Sequence, residues 1–175
     1  GESGLHVLHI RTLTELLLKH LAQKDSRYQL PRSQVSLICT ASALHDIGKI
    51  AVSSEILNKP GRLTDEEFAT MKTHTLIGAS MLEDLPVHQG EPLIKIAYEI
   101  CRWHHERYDG RGYPDGLKGD DIPISAQIVA LADVYDALTS ERVYKKAFSH
   151  ETAVQMILEG QCGQFNPLLM ECLKE

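Results

Sequence analysis

Apolar residues recur at helical spacing along most of the chain. Leucines three and four positions apart predict a first amphipathic helix over residues 2–23. A second helix is predicted from Val35 into the pair His45-Asp46, with Gly48 at its end. The sequence has no clear two-residue alternation of the kind that indicates a strand, and no internal repeat. The pattern therefore predicts an all-α domain of about six or seven helices.

Capping residues indicate where the later helices begin. Thr64 opens a third helix with a capping box, and that helix is expected to end near Asp84. Pro92 suits the first turn of a fourth helix, which reaches His104-His105. The other predicted helical segments are a short turn at 54–57 and three helices over 128–138, over 149–160 and from 166 onward.

The least regular segment covers residues 108–123 and contains four glycines and two prolines. A loop of this length inside a compact domain is usually functional or disordered. Its glycine and proline content suits the recognition of a partner as well as catalysis. We therefore expect this segment to carry part of the protein's function.

Length and composition exclude several classes of protein. The 175 residues suit one domain, and the content of 43% hydrophobic and 24% charged residues excludes disorder and collagen-like structure. No apolar run reaches the length of a membrane span. A net charge of −6 argues against an extended nucleic-acid surface, although it leaves room for a local phosphate site.

The cysteines indicate the cellular compartment, and the first residue indicates a longer protein. Four cysteines lie far apart with no CxxC pair, which favours free buried thiols in a reducing cytosol over a disulfide framework. The chain shows no signal-peptide pattern, and we expect a cytoplasmic protein. Because Gly1 is not a methionine, residues 1–175 are expected to be a single domain from a longer protein, whose upstream regulatory domain is missing. A membrane tether in that longer protein is left open.

Histidines and carboxylates gather on or beside the apolar faces of several predicted helices. A histidine beside an aspartate is, by itself, more often a helix cap or a core residue, but burying many such groups without partners is costly. A metal cluster offsets that cost, and a mixed set of imidazoles and carboxylates without cysteine favours iron or manganese over structural zinc. The set is sufficient for two six-coordinate ions, or three. The candidate ligands are Glu2, His6, His45, Asp46, His74, His104, His105 and Asp133.

Three cations flank the segments that carry these candidate ligands. Lys49 follows His45 by four positions, while Arg142 and Lys145 are three apart and come shortly after Asp133. A lone surface cation is usually only solvated, but Arg binds phosphate oxygens bidentately and Lys supplies a point charge. Together with the metals they suggest phosphoester hydrolysis by a metal-activated water, with the cations offsetting charge on the phosphoryl oxygens.

Four signature runs carry a resemblance to a known family. They are LHDIGK at 44–49, HHERYDGRGYPDGL at 104–117, ADVYDALTS at 132–140 and RVYK at 142–145. With these runs the sequence resembles the HD-GYP family of cyclic di-GMP phosphodiesterases over nearly its whole length. The resemblance implies an HD-type helical bundle of about seven helices, and hydrolysis of cyclic di-GMP to pGpG or onward to GMP.

The resemblance also implies roles for the matching residues. Asp46 is expected to bridge two ions and to take part in catalysis with Lys49, while Glu2 matches an acidic ligand that accompanies a third ion in some members. Lys49, Arg142 and Lys145 match residues that hold substrate phosphates. The other metal ligands that the resemblance implies are His6, His45, His74, His104, His105 and Asp133.

The loop Gly112-Tyr113-Pro114 gives the family the second part of its name. The resemblance implies that this loop lines the site and contacts GGDEF domains, which makes such domains candidate partners. Tyr113 is the better candidate for stacking on a guanine of cyclic di-GMP.

Some assignments stay open at this level. His9 stands where the family often has Arg, and a helix-surface position is favoured over a role beside a ligand. Asp136 either orients a ligand or is a solvated helix residue. Trp103 is expected in the core. Two functions compete with hydrolysis: a catalytically weak, metal-bound signalling module that binds a cyclic dinucleotide or a GGDEF domain, and oxygen activation at paired irons.

Overall fold

The structure is a computed structural model that describes residues 4–86, 90–141 and 146–174. Over these ranges the chain forms α-helices and short 3-10 turns, with one isolated bridge between Gln161 and Gly163 and no strand. The helices are α1 (Gly4–Lys24), α2 (Arg32–Ser42), α3 (Ser54–Leu57), α4 (Asp65–Glu83), α5 (Pro92–Trp103), α6 (Ile124–Thr139), α7 (His150–Leu158) and α8 (Pro167–Leu173). The predicted all-α fold is confirmed, with the short turn at 54–57 as an additional helix.

The predicted helix starts agree with the caps. Thr64 and Glu67 form the full capping box of α4, because each side chain bonds the other residue's backbone N–H. Ser149 caps α7 by accepting from the backbone N–H of Thr152. The side chain of Asn166 accepts from the backbone N–H of Leu168 at the start of α8.

The predicted second helix is wrong at its C-terminal end. Helix α2 ends at Ser42, and the chain then turns before a 3-10 segment over Ile47–Ala51. Gly48 does not end a helix; it packs so closely on α4 that an added Cβ would meet backbone atoms of His74 and Gly78. A continuous helix cannot make this approach, because its outward side chains would hold the two backbones apart.

Helix α6 forms the middle of the core. All residues from 125 to 132 are buried, including the polar Ser125 and Gln127, so protein surrounds this part of the helix on every side. Helices α1, α5 and α7 pack on it, while α2 and α4 pack on α5. The C-terminal ends of α2 and α5 and the sides of α1, α4 and α6 therefore converge on one place.

The cysteine prediction is confirmed for three of the four thiols. All four cysteines are free; Cys39, Cys101 and Cys172 are buried, whereas Cys162 is partly exposed. Burial raises the pKa of the Cys101 thiol to about 12, so this group stays protonated. Within the part of the chain that the structure describes, no helix is both long and apolar enough to cross a membrane.

Candidate metal centre

The carboxylate of Asp46 lies at the centre of a cluster of imidazoles. Its Oδ1 is 3.2 Å from the Nε2 atoms of both His74 and His104, and its Oδ2 is 3.1 Å from the Nε2 atom of His45. The Nζ atom of Lys49 is 3.1 Å from the same Oδ2. The Asp46 side chain is only 5% exposed, so one buried anion faces three histidines and a lysine.

The backbone fixes the orientation of these three imidazoles. Each ring donates its Nδ1–H to a carbonyl oxygen three or four residues earlier, at 2.6 Å for His45 and His74 and 2.9 Å for His104. A carbonyl oxygen has no proton to give, so Nδ1 carries the hydrogen and a neutral ring presents the Nε2 lone pair.

Lone pairs therefore face lone pairs at the middle of the cluster. Among the described residues, the Nε2 atoms of His45, His74 and His104 and both oxygens of Asp46 are buried and have no partner in hydrogen-bond geometry, although the Lys49 ammonium lies beside Oδ2. Orphaned acceptors of this kind are costly in a protein interior. A cation between them removes the cost, and neutral Nε2 and carboxylate oxygen are both good metal ligands. The residues present therefore fit a divalent metal centre.

The ligand atoms divide into two overlapping groups, in each of which they lie within 4.8 Å of one another. The first group is Asp46, His74, His104 and His105, and the second is His6, His45, Asp46 and Asp133. Asp46 belongs to both groups, which is the geometry that a bridging carboxylate requires. The structure thus brings together every predicted ligand except Glu2, which lies outside the described residues.

The charge balance of the centre favours added positive charge. Burial acts to raise the pKa of Asp46 and of Asp133, but the surrounding imidazoles hold both pKa values well below the ordinary value. Burial lowers the pKa of His104 and of His105. Burial opposes protonation of His45 too, yet the two carboxylates raise its pKa well above the ordinary value, and a cation bound at Nε2 would take the place of that proton. The two ionised carboxylates make the centre negative, and a divalent cation bound there would neutralise that charge.

Asp136 holds the α1 side of the centre. Its carboxylate lies 2.5 Å from Nδ1 of His6 and 2.8 Å from Nδ1 of His9, and it accepts a hydrogen bond from Ser140 at 2.9 Å. The Nε2 atom of His6 is then 3.4 Å from Asp133. Asp136 is buried, so its orienting role is the correct alternative. The preference for His9 as a plain helix-surface residue is wrong.

Glu106 is a residue of the site region for which the sequence patterns predict no role. It is only 2% exposed, and its carboxylate accepts from the backbone N–H groups of Asp115 at 2.7 Å, Gly116 at 3.0 Å and Leu117 at 2.8 Å. The available signal is an acid directly after two ligand histidines and before a glycine-rich loop. A buried carboxylate needs hydrogen-bond donors, and the backbone N–H groups of that loop are close enough to provide them.

The loop around Gly112-Tyr113-Pro114 closes over His105. The Tyr113 ring stacks on the His105 ring with centroids 4.8 Å apart and planes 15° apart. The edge of the Phe68 ring meets Tyr113 at 6.0 Å. One face of the predicted guanine-stacking residue is thus occupied by a candidate ligand.

Two further predictions concern the phosphate-binding cations and Trp103. Arg142 and Lys145 are outside the described residues, so the structure does not bear on their contact with phosphate. Trp103 is not a core residue; it is partly exposed, and its indole Nε1–H donates to Asp115 at 2.6 Å.

Comparison with known proteins identifies relatives over the whole domain. The profile of the HD domain family matches residues 6–167. A "Probable cyclic di-GMP phosphodiesterase" from Vibrio cholerae is 46% identical over 97% of this chain and 39% of its own length. A "Cyclic di-GMP phosphodiesterase" from the same organism is 44% identical over 98% of this chain and 35% of its length.

A relative with another printed substrate is nearly as similar. The "3'3'-cGAMP-specific phosphodiesterase 2" of Vibrio cholerae is 40% identical over 99% of this chain and 31% of its length. The chain therefore spans between 31% and 39% of the length of these three curated relatives.

Solved structures share the fold. A HDG"Y"P protein from Bdellovibrio bacteriovorus superposes with a TM-score of 0.68 at 22% identity, covering 95% of this chain and 51% of that chain. The cyclic GMP-AMP specific phosphodiesterase V-cGAP3 of Vibrio cholerae gives a TM-score of 0.61 at 18% identity, covering 95% and 42%. At these identities the likeness concerns the helical architecture alone.

Proposed function

Because the chain belongs to the HD domain family and carries the HD-GYP signature runs, we propose that it is a metal-dependent phosphodiesterase that hydrolyses cyclic di-GMP. The names of two curated relatives at 46% and 44% identity support this substrate. The observation that carries the proposal is the buried Asp46 carboxylate: over the described ranges, its two oxygens and the three facing imidazole nitrogens have no hydrogen-bond partner. A cation bound between them would remove the cost of burying these groups.

The proposed centre would take two divalent cations, iron or manganese, and Asp46 would contribute to the binding of both. His74, His104 and His105 would hold one of them with Asp46, and His6, His45 and Asp133 would hold the other. Glu2 remains a predicted ligand of a third. The bound cations supply the Lewis-acid charge that makes a water nucleophilic near neutral pH and polarises the phosphoryl group.

Among the residues that the structure describes, Lys49 is situated to meet the substrate phosphate. Its side chain is 31% exposed while its Nζ touches the buried Asp46, so its charge lies at the boundary between the centre and solvent. An ammonium at that boundary stabilises the negative charge that develops on the phosphoryl oxygens. Arg142 and Lys145 are proposed to extend this positive surface.

The chemistry proposed is the opening of one phosphodiester linkage. Water adds to phosphorus, the P–O3′ bond breaks, and the departing 3′ oxygen takes a proton. The product is linear pGpG, and repetition on the second linkage yields GMP. The groups that orient the ligands, the Asp136 carboxylate for His6 and backbone carbonyls for three other imidazoles, keep them in place during hydrolysis.

The test uses the chain loaded anaerobically with Fe²⁺ or Mn²⁺ and incubated with cyclic di-GMP, with products separated by chromatography. We expect pGpG, loss of activity on chelation, and no activity in Asp46→Asn. The matched control Asp84→Asn changes an exposed aspartate at the C-terminal cap of α4 and should keep full activity. Intact substrate after hours with either metal overturns the proposal. Binding of cyclic di-GMP without products favours the signalling module.

A second candidate substrate is 3'3'-cGAMP, because a relative covering nearly the whole chain carries that name. Both molecules present the same phosphodiester to the centre and differ in one base. The ratio of kcat/KM for the two substrates decides between them, and we expect cyclic di-GMP to be preferred. Contact of the loop Gly112-Tyr113-Pro114 with a GGDEF domain and the cytoplasmic location stay predictions.

A further inference from the structure

We propose that Glu106, Gly112 and Tyr113 form a brace that sets the ring plane of His105 for cation binding. The inference rests on the metal centre of the proposed function and assigns positioning roles to two side chains of the HHE and GYP runs. It also concerns only one of the two ligand groups, since His105 belongs to the group with His74 and to no other.

His105 differs from the other candidate ligand histidines in how its ring is held. Backbone carbonyls orient three of the others, and Asp136 orients His6. Over residues 4–86, 90–141 and 146–174, no hydrogen bond to the His105 ring is found. Its orientation comes from ring contacts, with centroids 4.8 Å from Tyr113, 4.2 Å from His104 and 5.0 Å from His74. The Tyr113 contact is the nearly parallel one and thus limits rotation of the ring plane.

Gly112 allows the loop to reach this position. A Cβ at residue 112 would run into the backbone of His105, Glu106 and Arg107. With only a hydrogen there, the loop lies directly on residues 105–107, and the backbone N–H of Tyr113 donates to the carbonyl oxygen of His105 at 3.2 Å. This backbone contact places the Tyr113 ring on the His105 ring.

Glu106 anchors the other end of the loop. Its buried carboxylate accepts three backbone N–H groups at residues 115–117, just after Tyr113-Pro114. Hydrogen bonds to a charged acceptor are stronger than neutral ones. Asp115 adds a second tie, because its carboxylate accepts from Arg102 and Trp103 at the end of α5.

The adjacency of His105 and Glu106 in sequence couples the loop to the ligand. His105 and Glu106 are neighbours, so the residue that holds the loop and the residue that the loop covers are fixed to the same turn of backbone. Loosening Glu106 frees the loop, and freeing the loop removes the stacking partner of His105. The cation near His74, His104 and His105 should then bind more weakly, while the cation near His6, His45 and Asp133 should not.

The experiment measures Mn²⁺ binding to the whole chain by equilibrium dialysis and electron paramagnetic resonance. We expect Tyr113→Leu and Glu106→Gln to weaken one of the two cations roughly 10- to 100-fold, the range for lost support of a metal ligand. The coupled signal of a cation pair should give way to that of a single isolated Mn²⁺. Tyr113→Phe keeps the stacked ring and should retain the wild-type affinity at both positions. Tyr28→Leu, at a partly buried ring on the 3-10 turn Ser26–Tyr28, is the matched control.

The double variant Glu106→Gln with Tyr113→Leu separates a brace from general destabilisation. Residues that act through one contact are not additive, so the double variant should bind Mn²⁺ as Tyr113→Leu does. Equal affinity of Tyr113→Leu and wild type at both positions overturns the brace, as does equal weakening of both cations. If the wild-type chain binds no Mn²⁺, the metal centre itself fails, which is a different result from failure of the brace.

Discussion

The two ligand groups of the candidate centre hold their histidines by different means. In the group with His74, His104 and His105, a carbonyl oxygen three or four residues away orients the first two imidazoles, and Tyr113 of the following loop stacks on the third. In the group with His6 and His45, a nearby carbonyl oxygen orients His45, whereas the partner of His6 is Asp136, which is 130 residues away in sequence. Each ring of the first group is thus held by residues close to it in sequence, while the second group is complete only when α1 packs on α6.

This difference predicts which ligand group is more sensitive to changes in helix packing. Local orientation forms with the helix itself and survives loosening of distant contacts. Orientation across the molecule makes cation binding and the packing of α1 mutually dependent, because each restrains His6. Asp46 is the element common to both groups. Variants in each region should therefore give separable effects.

The largest effect is expected from Asp46→Asn, because it removes the carboxylate that both groups share. An amide presents one oxygen and an NH₂ group to the surrounding imidazoles, so both cations should be lost. The affinity loss should exceed the ~10- to 100-fold that changing a partner of a ligand costs. Metal analysis after dialysis measures it, with Asp84→Asn as control. Retention of both cations in Asp46→Asn would contradict the shared role.

Gly48→Ala should break the local group by steric overlap. The added Cβ meets the backbone of His74 and the backbone nitrogen of Gly78, and backbone atoms cannot move aside cheaply. We expect a loss of about 1–3 kcal/mol in the free energy of unfolding, measured with urea. Gly61→Ala is the matched control, because nothing lies within 4 Å of a Cβ at that position. Equal stability of the two variants would mean that the close approach at Gly48 is not needed.

Asp136→Asn should weaken the long-range group while sparing the local one. Asn keeps one oxygen for His6 but loses the charge and the second acceptor that His9 and Ser140 use. We expect roughly tenfold weaker binding of one Mn²⁺, at the low end of the range for outer partners of ligands. The second Mn²⁺ should bind as in wild type. Weakening of both cations to the same extent would refute the separation of the two groups.

The smallest effect concerns Glu67, which caps the helix that carries His74. Lys59 and the backbone N–H of Thr64 lower the pKa of Glu67 to about 2, from an ordinary value of 4.5. Because the folded-state pKa is lowered, the contribution to stability is present above pH 4.5 and is lost as the pH falls toward 2. Glu67→Gln should lower Tm slightly near neutral pH, with no difference at the acid end. A Tm difference that is constant with pH would exclude the charged interaction.

The sequence predicts best where a local chemical signal exists. The caps at Thr64, Ser149 and Asn166 set helix starts that the structure reproduces, because capping depends on neighbouring residues alone. The candidate ligands His45, Asp46 and their partners, which the signature runs mark, also lie close together in the structure. The sequence could not reveal that α2 ends at Ser42. The position of Gly48 depends on its close packing against α4, which is distant in sequence, and not on the residues next to it.

The partners of the ligands were harder to predict than the ligands. His9 and Asp136 meet only through the packing of α1 on α6, a contact across 127 residues that no local pattern contains. Glu106 lies inside a signature run, yet its role depends on a loop that returns to it nine to eleven residues later. Tertiary contacts of this kind follow from the fold and not from spacing.

The central claim is that one carboxylate, Asp46, lies between two cations. A crystal of the chain grown with Mn²⁺ and measured at the manganese absorption edge tests it most directly. The account predicts two anomalous peaks, one on each side of the Asp46 carboxylate, with the first near His74 and the second near His6. A single peak, or two peaks that do not both contact Asp46, would contradict it.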